Sequence, residues 1–222
     1  MKSSVDMKPT LEFLGQLEQN NNKAWFDAHR AAYETARSAF EDFVDDLIRG
    51  VDKFDDLGDL SAKECIFRIN RDVRFSKDKS PYKPNMGASL APGGRKSARL
   101  GYYIHVAPHD ESMIAGGLHT PMPPQLFRFR QAIDRDANAF KRITRSRAFA
   151  QYFGHVSGGR LATAPQGFPR DHPEIELLKL KEIVAVHHLA DESVLSPDLA
   201  AHTLKVFKAM KPFLDYLNGV TQ

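Results

Sequence analysis

The sequence predicts an α+β fold, read as a single domain over residues 1–222, with a mainly antiparallel central sheet flanked by N-terminal and C-terminal helices. Three observations predict it. Apolar residues recur at three- and four-residue steps through the first 60 positions, the period changes to two between Glu64 and Leu118, and the helical period returns after Pro124. A chain of 222 residues that is 42% hydrophobic and 27% charged is long enough to bury a sizeable core.

The elements follow in order. A short helix is expected from Thr10 to Gln19, then an Asn-rich turn at Asn20, Asn21 and Asn22, with Asn22 placed to cap a long helix over 23–49. Trp25, Phe26, His29, Tyr33, Ala36, Phe40, Phe43, Val44, Leu47 and Ile48 form its apolar stripe, and Gly50 is a stop signal. Alternating apolar residues, rich in aromatic and β-branched types, predict strands near 64–70, 86–91, 99–107 and 113–118. Pro92-Gly93-Gly94 is short enough to link the second and third as an antiparallel hairpin, and Pro108 to Ser112 the third and fourth, so sequential neighbours pair. Helices are expected at 124–135 and 139–153, the latter closed by Gly154. An extended piece near 160–164, a helix near 173–181 and a strand at 183–189 come next. The last helix starts at Ser196-Pro197, where Ser196 can cap and Pro197 suits the first turn.

Composition removes several classes of function. No stretch reaches the ~18 apolar residues of a spanning helix, and the start MKSSVDMKPT lacks the apolar run of a signal peptide, so neither a membrane nor a secreted protein is expected. Cys65 is the only cysteine, which excludes an internal disulfide framework and fits a reducing compartment; the expected location is cytoplasmic. The nine histidines lack metal-ligand spacing, and His187-His188 would point to opposite faces of a strand, so no metal and no cofactor are expected. Gly116-Gly117 and Pro92-Gly93-Gly94 lack the spacings of phosphate-binding loops, and no Gly-x-Ser-x-Gly elbow is present.

Charge is divided along the chain. Residues 1–60 carry 7 Lys and Arg against 13 Asp and Glu, whereas residues 61–222 carry 24 against 15. Such a division marks either a surface for anions or two faces that neutralise each other. The most informative stretch is Ile66 to Pro84, which holds six cations (Arg68, Arg71, Arg74, Lys77, Lys79, Lys83) and two carboxylates (Asp72, Asp78). Extended geometry would put Phe67, Ile69, Val73 and Phe75 on one face with Arg71, and Ile66, Arg68, Asn70, Asp72 and Arg74 on the other. Arg71 in the apolar register requires either that the strand end near Asn70, with a bulge or turn, or that Arg71 be partly buried beside a carboxylate. Pro81 and Pro84 stiffen the following loop. Arginine forks and lysine point charges suit phosphate or carboxylate, so a small anionic ligand is the expected partner. The competing reading makes the same residues an internal ion-pair network.

At this segment the chain resembles DUF2461, a family of uncharacterised conserved proteins. The resemblance rests on Asn21-Asn22 with Trp25-Phe26, on Phe67-Arg68-Ile69 followed by Arg71 through Lys83, on Tyr102-Tyr103 and Gly116-Gly117. It also includes Pro165-Gln166-Gly167-Phe168 before Asp171-His172-Pro173, and Leu178-Lys179. It covers nearly the whole chain and implies a single domain of bacterial or fungal type without supplying a reaction. The chain departs from the family pattern at His119 and Gln166, so no ligand contact is carried over to those positions.

Alternation through Leu100 to Val106 places Tyr103 and His105 on one face, where Tyr103 can join the cation row. An enzyme acting on an anionic substrate would take Asp72 or His105 as acid or base; a binding module needs only the cations and Tyr103. A second basic stretch, from Arg128 to Arg147, has Phe127, Phe129, Phe140 and Phe149 interleaved and is read as a solvated face over core aromatics. Nucleic acid is therefore the less favoured partner. The sequence does not set the oligomeric state.

Overall fold

The computed structural model describes residues 5–221; residues 1–4, part of the start in which no signal-peptide run was expected, and Gln222 lie outside it. Among the described residues ten α-helices accompany one antiparallel sheet of four strands in the order β1-β2-β3-β4, where β1 is Met86–Leu90, β2 Tyr102–Val106, β3 Ser112–Leu118 and β4 Ile183–Leu189. The α+β class and the pairing of sequential strands are as the alternation predicts. In the first hairpin Met86 faces Val106, Gly87 faces His105 and Ser89 faces Tyr103. One face of it is buried through Met86, Ala88, Leu90, Tyr102, Ile104 and Val106, leaving Ser89, Tyr103 and His105 half-buried on the other. Among the described residues no helix is long and apolar enough to cross a membrane.

The chain divides into two compact units. One gathers the residues up to Ser97 with Tyr102–Ile114 and His188–Lys205; the other gathers Ala98–Gly101, Ala115–His187 and the residues from Val206 on. In the first, helix α1 (Lys8–Gln19) lies along α3 (Arg30–Val51), and the buried Thr10 hydroxyl donates to the Ala36 carbonyl at 3.0 Å. Leu14, Leu17, Phe40, Phe43, Val44 and Leu47 are fully buried, each worth about 1.5–3 kcal/mol of apolar transfer.

The predicted 23–49 helix is broken at His29 into α2 (Lys23–Ala28) and α3, because the His29 amide bonds both the Trp25 and Phe26 carbonyls and its Nδ1 lies 2.8 Å from the Trp25 oxygen. Asn22 caps α2 as expected, its side chain accepting from the Trp25 amide. Gly50 is not a stop but lies inside α3. A Cβ there would sit 2.3 Å from the Leu204 methyl group, so close approach explains this glycine.

The strand expected at 64–70 is absent. Ser61 and Glu64 form a reciprocal capping box that starts the single turn α4 (Ala62–Cys65), so local hydrogen bonding overrides the alternation. The chain then keeps only isolated bridges, Ile66 to Ala88 and Asn70 to Tyr82.

The second unit is built on aromatic rings. Phe140 lies 5.3 Å from Phe129 and 6.0 Å from Phe213, and Phe149 lies 5.3 Å from Phe213, all buried. Helix α5 (Pro123–Arg135) agrees with expectation, but 139–153 is two helices, α6 (Asn138–Thr144) and α7 (Arg147–Phe153), because the Ser146 hydroxyl caps a new start by accepting from Phe149. The 160–164 piece reduces to a bridge between Arg160 and Leu180, and 173–181 to the turn α8 (Ile175–Leu178). An unforeseen turn, α9 (Asp191–Val194), precedes α10, which spans Leu199–Thr221; Ser196 accepts from the Asp198 amide just ahead of it.

Candidate functional site: the basic segment and the outer face of the first hairpin

Residues 66–84 form a closed loop, not a strand. The Arg71 amide donates to the Pro81 carbonyl at 2.9 Å and the Lys83 amide to Ile69 at 2.8 Å, so two short extended arms pair around Asn70 and Tyr82. The predicted single apolar face is overturned: Ile69 is buried, but Phe67 is 38% and Phe75 97% exposed. The cause is the chain reversal after Asn70, seen in the Ser76 amide bonding the Val73 carbonyl, which takes Val73 and Phe75 out of the arm's register.

A clamp from the N-terminal turn fixes one arm. The Asn21 side chain donates to the Tyr82 carbonyl at 2.9 Å and accepts from the Tyr82 amide at 3.1 Å, pairing with the backbone as a neighbouring strand would. The Tyr82 ring stacks on Phe26, centroids 4.1 Å apart at 14°. Sequence reasoning missed this clamp; the only signal was the joint presence of Asn21, Phe26 and Tyr82 in the quoted motifs.

Both carboxylates are used inside the loop. Asp78 pairs with Arg71 and accepts from the hydroxyl and amide of Ser80, and these bonds hold its carboxyl well below the usual range. Arg71 is thus partly buried and paired, as its register required, but its partner is Asp78. Asp72 is forked by Arg74, with Nε at 2.9 Å and Nη2 at 2.6 Å, which lowers its carboxyl likewise. Lys79 donates to the Val73 carbonyl at 2.9 Å, and Lys83 to the Arg68 carbonyl at 2.9 Å. Arg68 and Lys77 are exposed and have no ion-pair partner among the described residues. Lys83 is only half-exposed; burial, and then the Arg68 charge, push its ammonium below its ordinary value.

Tyr103 and His105 come together on the outer face of β2, the Tyr103 hydroxyl 3.3 Å from His105 Nδ1. Gly87 leaves room for that hydroxyl, since a Cβ would stand 2.7 Å from it. Burial raises the Tyr103 phenol, keeping it protonated, and lowers His105 despite the opposing charge of Glu111, keeping it neutral near pH 7. Phe67 joins this face to the basic segment: its ring meets Tyr103 edge-on at 6.2 Å, and the Lys83 ammonium lies 5.9 Å from its centroid. Among the described residues no hydrogen bond or ion pair links Asp72 to His105.

Other candidates fare differently. Cys65 is buried and its thiol is pushed up to about 12, which leaves it protonated and unreactive. In the second basic stretch Arg128 donates to Thr221, Arg130 to Leu178 and Leu180, and Lys141 pairs with Glu174, so these cations serve the fold. An open groove of about 730 Å³ lies along α3 among Glu34, Asp42, Asp45, Asp46 and Arg49, away from the basic segment. Among the described residues no three His, Cys, Asp or Glu side chains are grouped to hold a metal ion. His119 is exposed beside Glu182 at 3.3 Å, and Gln166 is exposed.

These features define an α+β protein in which a self-neutralised Arg–Asp scaffold presents further cations beside a Tyr–His pair on an antiparallel hairpin. The chain belongs to the conserved hypothetical protein family DUF2461, whose model matches residues 9–216. Neither a curated protein nor a solved structure matches it.

Proposed function

We propose that the protein binds a small phosphate- or carboxylate-bearing ligand beside the outer face of the β1–β2 hairpin. Arg68, Lys83 and the Tyr103 hydroxyl provide its donors, with the His105 ring at the rim. Lys77 and Lys79 supply long-range attraction, while Arg71 and Arg74, occupied by Asp78 and Asp72, hold the loop in shape. The observation that carries this reading is Lys83: a half-buried ammonium next to Arg68, repelled by it, and bonded only to a backbone carbonyl. An anion bridging the two cations relieves both the repulsion and the desolvation. Asp72 is a weak candidate for an acid or base, because an exposed, forked carboxylate stays ionised at neutral pH. Calorimetric titration with inorganic pyrophosphate at low salt tests the reading. Arg68→Ala with Lys83→Met should weaken binding at least tenfold with melting little changed; equal affinity in parent and variant refutes it.

A further inference from the structure

We infer that this anion site is one end of a surface for single-stranded nucleic acid, with Phe75 and Phe67 stacking on bases and Arg68, Lys77, Lys79 and Lys83, the cations of the segment that no carboxylate occupies among the described residues, holding the phosphates. The inference rests on the ligand reading above. Among the described residues five large hydrophobic side chains are exposed, and two of them, Phe67 and Phe75, fall in the short segment that also bears six cations. Phe75 at 97% exposure is unexplained by the fold, because its ring packs on no apolar neighbour. Its loop is nonetheless fastened, by Arg71 to Asp78, Arg74 to Asp72, and Lys79 to the Val73 carbonyl. A ring presented on a preorganised loop loses little entropy on stacking.

Each ring has a cation beside it, Arg74 at 5.9 Å from the Phe75 centroid and Lys83 at 5.9 Å from that of Phe67. A segment that exposes two aromatic rings among cations offers π-faces for bases and charge for phosphates, and the unpaired bases of a single strand present open π-faces to such rings. A duplex hides those faces. An anionic lipid surface fits less well: Phe75 could enter hydrocarbon only with the adjoining Arg74 and its partner Asp72 carried to the same depth, and a carboxylate there is costly.

The test is fluorescence anisotropy of a labelled twelve-residue oligothymidylate at low salt. The full chain is compared with Phe75→Ala and Phe67→Ala, and the same proteins are titrated in parallel with pyrophosphate, a twelve-base-pair duplex, and phosphatidylcholine–phosphatidylserine vesicles. Because Phe75 supports no packing, Phe75→Ala should melt as the parent does and keep its pyrophosphate affinity, yet bind the oligonucleotide about 5- to 150-fold more weakly. Binding should fall with salt at a logarithmic slope of about −3, as for four phosphates neutralised on a single strand. Equal oligonucleotide affinity in parent and Phe75→Ala overturns the inference. So does a duplex bound as tightly as the single strand, or vesicle binding that Phe75→Ala abolishes without any oligonucleotide binding. Pyrophosphate bound with no oligonucleotide binding overturns this inference and leaves the anion site standing; neither ligand bound overturns both.

Discussion

Replacing Asn21 by Ala removes the side chain that, among the described residues, ties the basic segment to the N-terminal turn through paired bonds. Two hydrogen bonds to the Tyr82 backbone are lost, each worth about 0.5–1.5 kcal/mol net. The Tyr82 amide and carbonyl also lose their partner, and since Tyr82 is only 6% exposed, water replaces it poorly. The expected cost is roughly 2–4 kcal/mol. For a chain of this size that corresponds to a fall in Tm of about 5–12 °C. Asn20→Ala is the control, because its side chain makes only an exposed bond to the Gln16 carbonyl, and it should cost about 1 kcal/mol or less. Thermal denaturation followed by circular dichroism reads the global effect, and hydrogen exchange at the Arg71 and Lys83 amides reads the loosening of the two arms. An Asn21→Ala protein that melts within a degree of the parent, with both amides equally protected, would refute the clamp.

Other outcomes follow from the same geometry. Arg71→Ala should lower Tm by less than Asn21→Ala does, because its Asp78 partner is 60% exposed; a larger fall in the melt would mean the pair is buried in solution. Asp72 and Asp78 titrate below the ordinary carboxylate range, so the order they lend the loop is present above about pH 4 and is lost as pH falls through their folded midpoints. The Ser80 and Arg74 amide resonances should follow that titration, and midpoints at or above the ordinary value would contradict it. Cys65 should not react with a thiol reagent at pH 8 in the native protein and should react at once in denaturant; rapid native reaction would place it at the surface.

The strands at 102–106 and 183–189 were legible because β-branched residues and alternation there answer to a sheet with one face more buried than the other, and those at 86–90 and 112–118 because turn residues bound short apolar runs. Where the reading failed, a short-range hydrogen bond or a long-range contact decided the matter. The capping box at Ser61 and Glu64 converted the start of a predicted strand into a helical turn, and Ser146 divided a predicted helix. Gly50 looked like a terminator but answers to Leu204, more than 150 residues away in sequence. In the candidate site the shared face of Tyr103 and His105 was readable from spacing alone, whereas the predicted single row of Arg68 and Arg74 gave way to a loop that reverses after Asn70. That Asp78, not Asp72, meets Arg71 was not readable either, since it depends on the same chain reversal. The exposure of Phe75 ran against its apolar register, because a phenylalanine in an alternating pattern signals a core that this loop does not have.

The central claim is an anion held beside Lys83, Arg68 and the Tyr103–His105 pair, and His105 is its most direct reporter. Without ligand its imidazole should titrate below about 6.5, because burial disfavours the charged form. A histidine lowered in the folded state lends stability above its unfolded midpoint that is lost as pH falls below it, and a bound anion opposes that loss by favouring the protonated ring. Following the His105 resonances by NMR from pH 5 to 8, with and without saturating pyrophosphate, should show the midpoint moving upward with ligand in the parent and not in Arg68→Ala/Lys83→Met. An unchanged midpoint in the parent with pyrophosphate present would contradict the site.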